Sequence, residues 1–280
     1  MEILSNNFEL NIFLKKNQYK SIGFVPTMGA IHKGHISLIK TALHENEIAI
    51  CSIYVNPTQF NDVNDFTNYP KKINDDINLL IKHKCSALFI PQNKEIYPNG
   101  YKVLKHENNL FNILEGKFRP NHFDGVVFIV HRLLKLINPR IAYFGEKDYQ
   151  QLIIIKKFVG KKFKNTIIRS CPTVRNNSGL ALSSRNILLS DSEYKEANFI
   201  FKNLKLIQKI HKKHTISECK KIIALNFENN KTFKLDYFEI CNSHNLTTSV
   251  SWEDNVNHVL LIAVFIGRIR LIDNLVLNVN

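Results

Sequence analysis

Ile22-Gly23-Phe24-Val25-Pro26-Thr27-Met28-Gly29-Ala30-Ile31-His32-Lys33-Gly34-His35 joins an apolar run to a helical pattern. Ile22 to Val25 reads as a strand, and Ile36, Ile39 and Leu43 recur at helical spacing beyond it. Two glycines and two histidines therefore fall between a strand and the first turn of a helix. That turn has unpaired N–H groups and the positive end of the helix dipole, so the junction is a ready anion site. Gly29 and Gly34 let the backbone approach a phosphate closely. His32 and His35 are about one turn apart, and both can donate to phosphate oxygens. The H-x-G-H pattern points to chemistry at a nucleotide α-phosphate. The plainer alternative is a glycine-bearing turn with two surface histidines, one of them capping the helix.

Two better-known phosphate motifs are excluded. Gly29 and Gly34 have the glycine spacing of a P-loop, but His35 and Ile36 stand where its lysine and hydroxyl belong. No G-x-G-x-x-G follows a strand anywhere, so the dinucleotide fingerprint is missing too.

Outward from the junction the pattern alternates. Ile48 to Val55 reads as a strand buried on both faces. Ile73, Ile77, Leu80 and Ile81 form a helical stripe, and Ala87 to Ile90 is a strand stopped by Pro91. Val126 to Ile137 reads as a helix, Ile141 to Phe144 as a strand, Tyr149 to Val159 as a helix and Thr166 to Ser170 as extended. This alternation predicts a Rossmann-like α/β fold, a parallel sheet with helices on both faces. Ligands in such folds collect at the carboxyl ends of strands, where Pro26–His35, Asn56–Phe60 and Gly145–Asp148 all fall. After Thr173 the order changes to basic helical patterns followed by Leu235 to Ile240, Val259 to Phe265 and Ile269 to Ile272 as strands. We therefore expect a domain over 1–173 and a smaller α+β domain over 174–280.

The composition is that of an ordinary globular chain of 280 residues, 44% hydrophobic and 22% charged. Its 38 Lys+Arg against 24 Asp+Glu give a formal charge of +14. The excess is spread along the chain, as in the surface helix Lys202 to Lys213, and does not form one patch or tail. This favours compositional drift, with some benefit to anionic ligands, over a nucleic-acid surface. Cys51, Cys85, Cys171, Cys219 and Cys241 are scattered, without zinc spacing or a C-x-x-C pair. That set fits reduced thiols and a cytoplasmic location. The first residues lack the apolar core of a signal peptide, and no stretch reads as a membrane span.

Four more segments accompany the H-x-G-H junction: Val55-Asn56-Pro57-Thr58-Gln59-Phe60, Phe144-Gly145-Glu146-Lys147-Asp148-Tyr149-Gln150-Gln151, Gly179-Leu180-Ala181-Leu182-Ser183-Ser184-Arg185-Asn186 and Arg270-Leu271-Ile272-Asp273-Asn274. With Val25 to Gly29 they resemble the pantothenate synthetases, the H-x-G-H ligases that join pantoate to β-alanine. Each motif is weak by itself, but five in order between about Lys20 and Leu277 are very specific. The resemblance implies an ATP-dependent, AMP-forming ligation like the chemistry of class I aminoacyl-tRNA synthetases. Pantoate attacks the α-phosphorus of ATP, pyrophosphate leaves, and the amine of β-alanine then displaces AMP from the pantoyl adenylate. It also implies Mg²⁺ with the phosphates and a homodimer; neither a membrane nor a nucleic acid is implied as a partner. The first domain is then the nucleotide- and pantoate-binding domain, and the second a lid.

Carried over residue by residue, the resemblance places ATP against Met28, Gly29, Ala30, Ile31, His32, Lys33, Gly34 and His35. It adds Gly145, Glu146, Lys147 and Asp148, the backbone of Val174, and Leu182, Ser183, Ser184 and Arg185. Lys33 carries no separate role. His35 and His32, Lys147, Ser183 and Arg185 are the catalytic candidates, with His35 as proton donor. A helix start favours a neutral imidazole there. Lys147 suits a mobile point charge on phosphate, and Ser183 to Arg185 match the counterpart of a K-M-S-K-S loop. Taken alone, Asp148 could simply cap the following helix, and Ser183 to Arg185 could be a polar turn with an exposed arginine. Gln59 and Gln151 match the positions that hold pantoate, with Gln59 also near β-alanine.

Three residues depart from the pattern: Ser178 stands for a common Asp, Phe128 for a common Thr, and Thr58 for a common Met. Ser178 removes an acidic contact or cap, whereas Thr58 and Phe128 reshape the substrate pocket. Arg119 to Phe123 resembles the family's R-P-x-H-F stretch, with no role assigned. The rival reading is an adenylyltransferase of coenzyme A or NAD biosynthesis, which shares H-x-G-H but lacks the Gln59 and Gln151 pair. A tRNA-synthetase-like nucleic-acid module is a more distant rival.

Overall fold

In the computed structural model, which describes residues 1–278 apart from Leu104 and Glu107, the quoted junction is a strand, a short loop and a helix. The chain divides into two units, Met1–Glu146 with Gln150–Pro172, and Lys147–Tyr149 with Thr173–Asn280.

The first unit contains β1 (Glu2–Leu4), α1 (Asn7–Lys16), β2 (Ile22–Thr27), α2 (Lys33–Glu45) and β3 (Ile48–Ile53). It continues with α3 (Val63–Thr67), α4 (Ile73–Lys82), β4 (Ala87–Phe89), α5 (Asn93–Ile96), α6 (Glu115–Phe118) and α7 (His122–Ile137). β5 (Ile141–Gly145), most of α8 (Tyr149–Ile154) and β6 (Ile167–Cys171) complete it. The six strands form one sheet in the order β1-β4-β3-β2-β5-β6, and every pairing in it is parallel. All the carboxyl ends therefore lie along one edge. Chain order runs outward from β2 through β3 to β4 and then resumes on the other side of β2 with β5. The direction of winding thus reverses between β2 and β5, and a crevice for a ligand is expected at that point.

Every residue of β3 is buried, which explains its unbroken apolar reading. On one face, Val25, Ile36, Ile39, Ala49, Cys51 and Leu80 share a core with Tyr143 of β5. Strand alternation turns Phe24 and Ile50 to the other face, and both are fully buried there.

Two expected helices differ from the observed ones, and the sheet has one strand that the sequence does not announce. β1 pairs with β4, although three residues are too few to show alternation. The helix read over Tyr149 to Val159 is α8 followed by a π-helical turn, Ile155–Val159. α7 begins four residues before the expected Val126.

The second unit contains α9 (Asp191–Glu196), α10 (Asn198–Ile210), α11 (Ile216–Glu228), β7 (Phe233–Asn242), β8 (His258–Ile266) and β9 (Ile269–Leu277). The strands form an antiparallel meander, β7-β8-β9, longer at every strand than the apolar runs that signalled it. Ile200, Leu204 and Ile207 of α10 and Cys219, Ile223 and Phe227 of α11 close a core on Ile240, Leu260, Ile262 and Val264. The cap of α11 is reciprocal: Thr215 Oγ1 accepts from Glu218 N, and the Glu218 carboxylate accepts from Thr215 N.

Candidate active site

The loop between β2 and α2 is held from below. Gly29 and Ala30 both have positive φ, 83° and 49°, which turns the chain sharply after β2. Thr27 Oγ1 accepts from Gly29 N at 3.1 Å. The N–H groups of Ala30 and Ile31 donate to the two carboxylate oxygens of Asp76, at 2.9 and 2.6 Å. Asp76 is on α4, three residues after Ile73 and four before Leu80, and is itself buried. Burial lifts its carboxyl above the usual range, and the two backbone donors oppose that shift. The amides of Ala30 and Ile31 therefore serve an internal carboxylate. These two N–H groups are thus already bonded within the protein.

Those residues form a capping box made of two histidines. His32 is the N-cap of α2, and its Nδ1 accepts from Gly34 N at 3.1 Å. His35 Nδ1 accepts in turn from His32 N at 3.3 Å. A ring nitrogen that accepts an N–H bond has no proton of its own, so each neutral ring is protonated on Nε2. The ring centroids are 4.1 Å apart. Capping and phosphate donation are therefore not rival roles: the cap on Nδ1 fixes the tautomer that makes Nε2 a donor.

Gln59 follows β3 in a 3₁₀ turn, Pro57–Gln59, and is buried. Its Nε2 donates to Met28 Sδ at 2.8 Å, which joins it to the β2–α2 loop, and its Oε1 accepts from Asn56 Nδ2 at 3.2 Å. Its carbonyl oxygen is 2.7 Å from His122 Nδ1 and accepts from Arg119 at 3.4 Å. The R-P-x-H-F stretch thus grips the backbone of Gln59. Gly125 allows this approach, because a Cβ there would lie 2.4 Å from the Thr58 carbonyl oxygen. Gln151 is half-buried on α8, whereas its neighbour Gln150 is buried and bonded to Glu115 N, Leu110 O and Ile113 O.

In the second unit, Asn274 Nδ2 donates to the Lys147 carbonyl at 2.8 Å, and Tyr149 Oη donates to the Ser243 carbonyl at 3.1 Å. Lys147 Nζ is 3.9 Å from Asp148. Asp148 ends a 3₁₀ turn, Glu146–Asp148, that runs directly into α8. Ser183 starts the 3₁₀ helix Ser184–Leu188 through a capping box in which its hydroxyl accepts from Arg185 N, and Asn186 accepts from Ser183 N. Ser184 is buried and Arg185 half-buried, unlike an exposed polar turn. The base of this loop is fixed by Arg175, which makes two bonds to Asp273, at 2.6 and 2.8 Å, and stacks over Phe201. Val174 O accepts from Leu182 N. Ser178 donates through N and Oγ to Asn176 Oδ1, so a neighbouring amide organises the turn where an acidic residue is common.

The fold and the H-x-G-H junction define a parallel α/β protein with its candidate phosphate donors at the winding reversal of the sheet. The model of the pantoate-beta-alanine ligase family matches residues 2–276, and the chain belongs to that family of enzymes. The pantothenate synthetase of Azobacteroides pseudotrichonymphae genomovar. CFP2 is 44% identical over 278 residues, covering 98% of this chain and 99% of the relative. That of Bacteroides thetaiotaomicron is 43% identical over 258 residues, 92% of each chain. The crystal structure of pantothenate synthetase from Thermus thermophilus is similar at a TM-score of 0.90 and 35% identity, covering 98% of this chain and 99% of that one. Pantoate-beta-alanine ligase from Francisella tularensis, complexed with beta-gamma ATP and beta-alanine, is similar at a TM-score of 0.79 and 39% identity, covering 98% and 97%.

Asp76, Asn56, Arg119 and His122 were not assigned by sequence. For Asp76 a signal existed: a carboxylate on the apolar stripe of α4 requires a buried partner.

Proposed function

We propose that this chain joins (R)-pantoate to β-alanine at the expense of ATP, through a pantoyl adenylate, releasing AMP and pyrophosphate. The observation that carries the reading is the histidine capping box at the end of β2, which makes Nε2–H the donor of both rings beside the β2–β5 reversal. Attack of the pantoate carboxylate on the α-phosphorus builds negative charge on the phosphate oxygens and on departing pyrophosphate. Preorganised neutral donors stabilise that charge without having to reorganise. His35 and His32 take this role, with His35 as proton donor, and Met28 to Gly34 line the nucleotide. Lys147 acts as a point charge on the phosphates and Arg185 as a planar donor, with Ser183 and Ser184 alongside. Gly145, Glu146, Asp148, Leu182 and the backbone of Val174 complete the nucleotide contacts. Gln59 and Gln151 hold pantoate.

Among the described residues no group of three His, Cys, Asp or Glu is placed to hold a metal ion, and Asp76 is committed to the loop backbone. Mg²⁺ is therefore assigned to the ATP phosphates, where it neutralises charge when bound. No helix among the described residues is long and apolar enough to cross a membrane, and a cytoplasmic homodimer is the proposed form.

The test is to incubate the protein with ATP, Mg²⁺, pantoate and β-alanine and to quantify products. Equal amounts of AMP and pantothenate are expected. A stable adenylylated product without AMP would transfer the chain to the adenylyltransferases.

A further inference from the structure

Asn56 is completely buried directly after β3, and each polar atom of its amide has a partner. Nδ2 donates to Gln59 Oε1 at 3.2 Å and to the Gly125 carbonyl at 3.0 Å. Oδ1 accepts from the Tyr97 hydroxyl and from Thr58 Oγ1, the latter at 3.2 Å. Turning the amide over would set its oxygen against two other oxygens, so it has a single orientation.

The Gly125 carbonyl, which only accepts, sets that orientation, and the Tyr97 hydroxyl holds the opposite end of the amide. Tyr97 is buried, its ring lies on Phe128 with centroids 4.7 Å apart and planes 13° from parallel, and its hydroxyl is 2.7 Å from Thr58 Oγ1. Burial pushes the hydroxyl up to about 12, so it keeps its proton at neutral pH. Thr58 and Phe128, two of the residues that depart from the family pattern, thus converge on one side chain. Both act on the residue that holds the Asn56 Oδ1.

We propose that Tyr97 is a positioning residue for the acid substrate: oriented by Thr58 and Phe128, it locks Asn56, which holds the Gln59 amide with Oε1 turned inward and Nε2 toward Met28. Gln59 then presents an N–H donor to a carboxylate or hydroxyl oxygen, which matches a hydroxy acid. The proposal rests on the assignment of Gln59 to pantoate, and its test separates the two.

Tyr97→Phe removes the hydroxyl and keeps the ring on Phe128, while Thr58→Val removes the other hydroxyl at nearly constant shape. KM for pantoate, KM for ATP, kcat and the thermal melt are measured for each. Loss of one net hydrogen bond corresponds to about a tenfold change. Tyr97→Phe should therefore raise KM for pantoate about tenfold and leave KM for ATP and the melting temperature nearly unchanged. Thr58→Val should act in the same direction, and the double variant, which takes both donors from the buried Asn56 Oδ1, should raise KM for pantoate beyond either single change. Unchanged KM for pantoate in both variants, or equal rises in both KM values with a lower melt, would overturn the proposal. Gln59→Ala is the control: if it raises KM for pantoate while Tyr97→Phe does not, only the positioning role fails. If Gln59→Ala also leaves KM for pantoate unchanged, the assignment of Gln59 fails with it.

Discussion

His32 and His35 each accept a capping bond on Nδ1, so the neutral rings carry their proton on Nε2, the donor that the proposed chemistry uses. Removing His35 then has two separable effects. Loss of a cap costs about 0.5–2 kcal/mol, whereas loss of a preorganised donor to a developing oxyanion costs about 2.7–4 kcal/mol of barrier. His35→Ala should slow single-turnover formation of pantoyl adenylate by about 10²–10³-fold and lower the melting temperature only slightly. Wild-type adenylate formation in a folded His35→Ala variant would show that Nε2 does not face the reacting phosphate. At this scale the histidines, Gln59 and the Ser183–Arg185 turn are legible as residue types and spacings, and the structure puts His32 and His35 at the start of α2 and Ser183 at the start of a 3₁₀ helix. Asn56, Tyr97 and Asp76 were not assigned, because their importance comes from partners distant in the chain. Tyr97 is 41 residues from Asn56 and Asp76 is 46 from Ala30, and even a carboxylate on the apolar stripe of α4 does not name its partner.

Elements position the loop as much as its own residues do. α4 reads as an amphipathic helix, but its stripe contains a carboxylate that fastens the Gly29–Ile31 turn. Asp76→Ala leaves two backbone N–H groups without their acceptor, and an unsatisfied buried donor costs about 1–3 kcal/mol. Urea denaturation should show a loss of that order, together with slower adenylate formation, since the histidine cap starts directly after this turn. Unchanged stability and rate would mean that the loop keeps its shape without α4. α2, α4, α7 and the long strands of the first sheet are legible from periodicity, being long or continuously apolar. β1 is not, because a three-residue strand gains its identity only from pairing with β4. The π-helical turn after α8 is also invisible to a pattern that cannot distinguish helix types.

At the scale of the molecule, the parallel order of the first sheet follows from α/β alternation, but which strands neighbour β2 does not, and that neighbourhood creates the reversal beside the histidines. Acid sensitivity is expected in the second unit. His258 is buried, with Nδ1 2.9 Å from Ser249 Oγ and Nε2 accepting from Glu253 N. Desolvation lowers its pKa, with His211 adding to the shift and Glu253 opposing it. The unfolded chain then binds the proton more readily, so this contribution to stability is complete above the ordinary histidine value of about 6.5 and declines as pH falls toward the folded value. Trp252, the single tryptophan, packs against His258 at 5.1 Å and reports unfolding of this unit. Urea midpoints followed by its fluorescence should fall between pH 7.5 and 5.5 by more in the wild type than in His258→Asn; equal falls would assign the sensitivity elsewhere. The central claim is that ATP is cleaved at the α-phosphorus by pantoate before the amine acts. Pantoate-dependent exchange of labelled pyrophosphate into ATP, measured without β-alanine, tests it most directly. Exchange should require pantoate and Mg²⁺, proceed without β-alanine, and fall about 10²–10³-fold in His35→Ala; exchange that begins only when β-alanine is added would contradict the adenylate pathway.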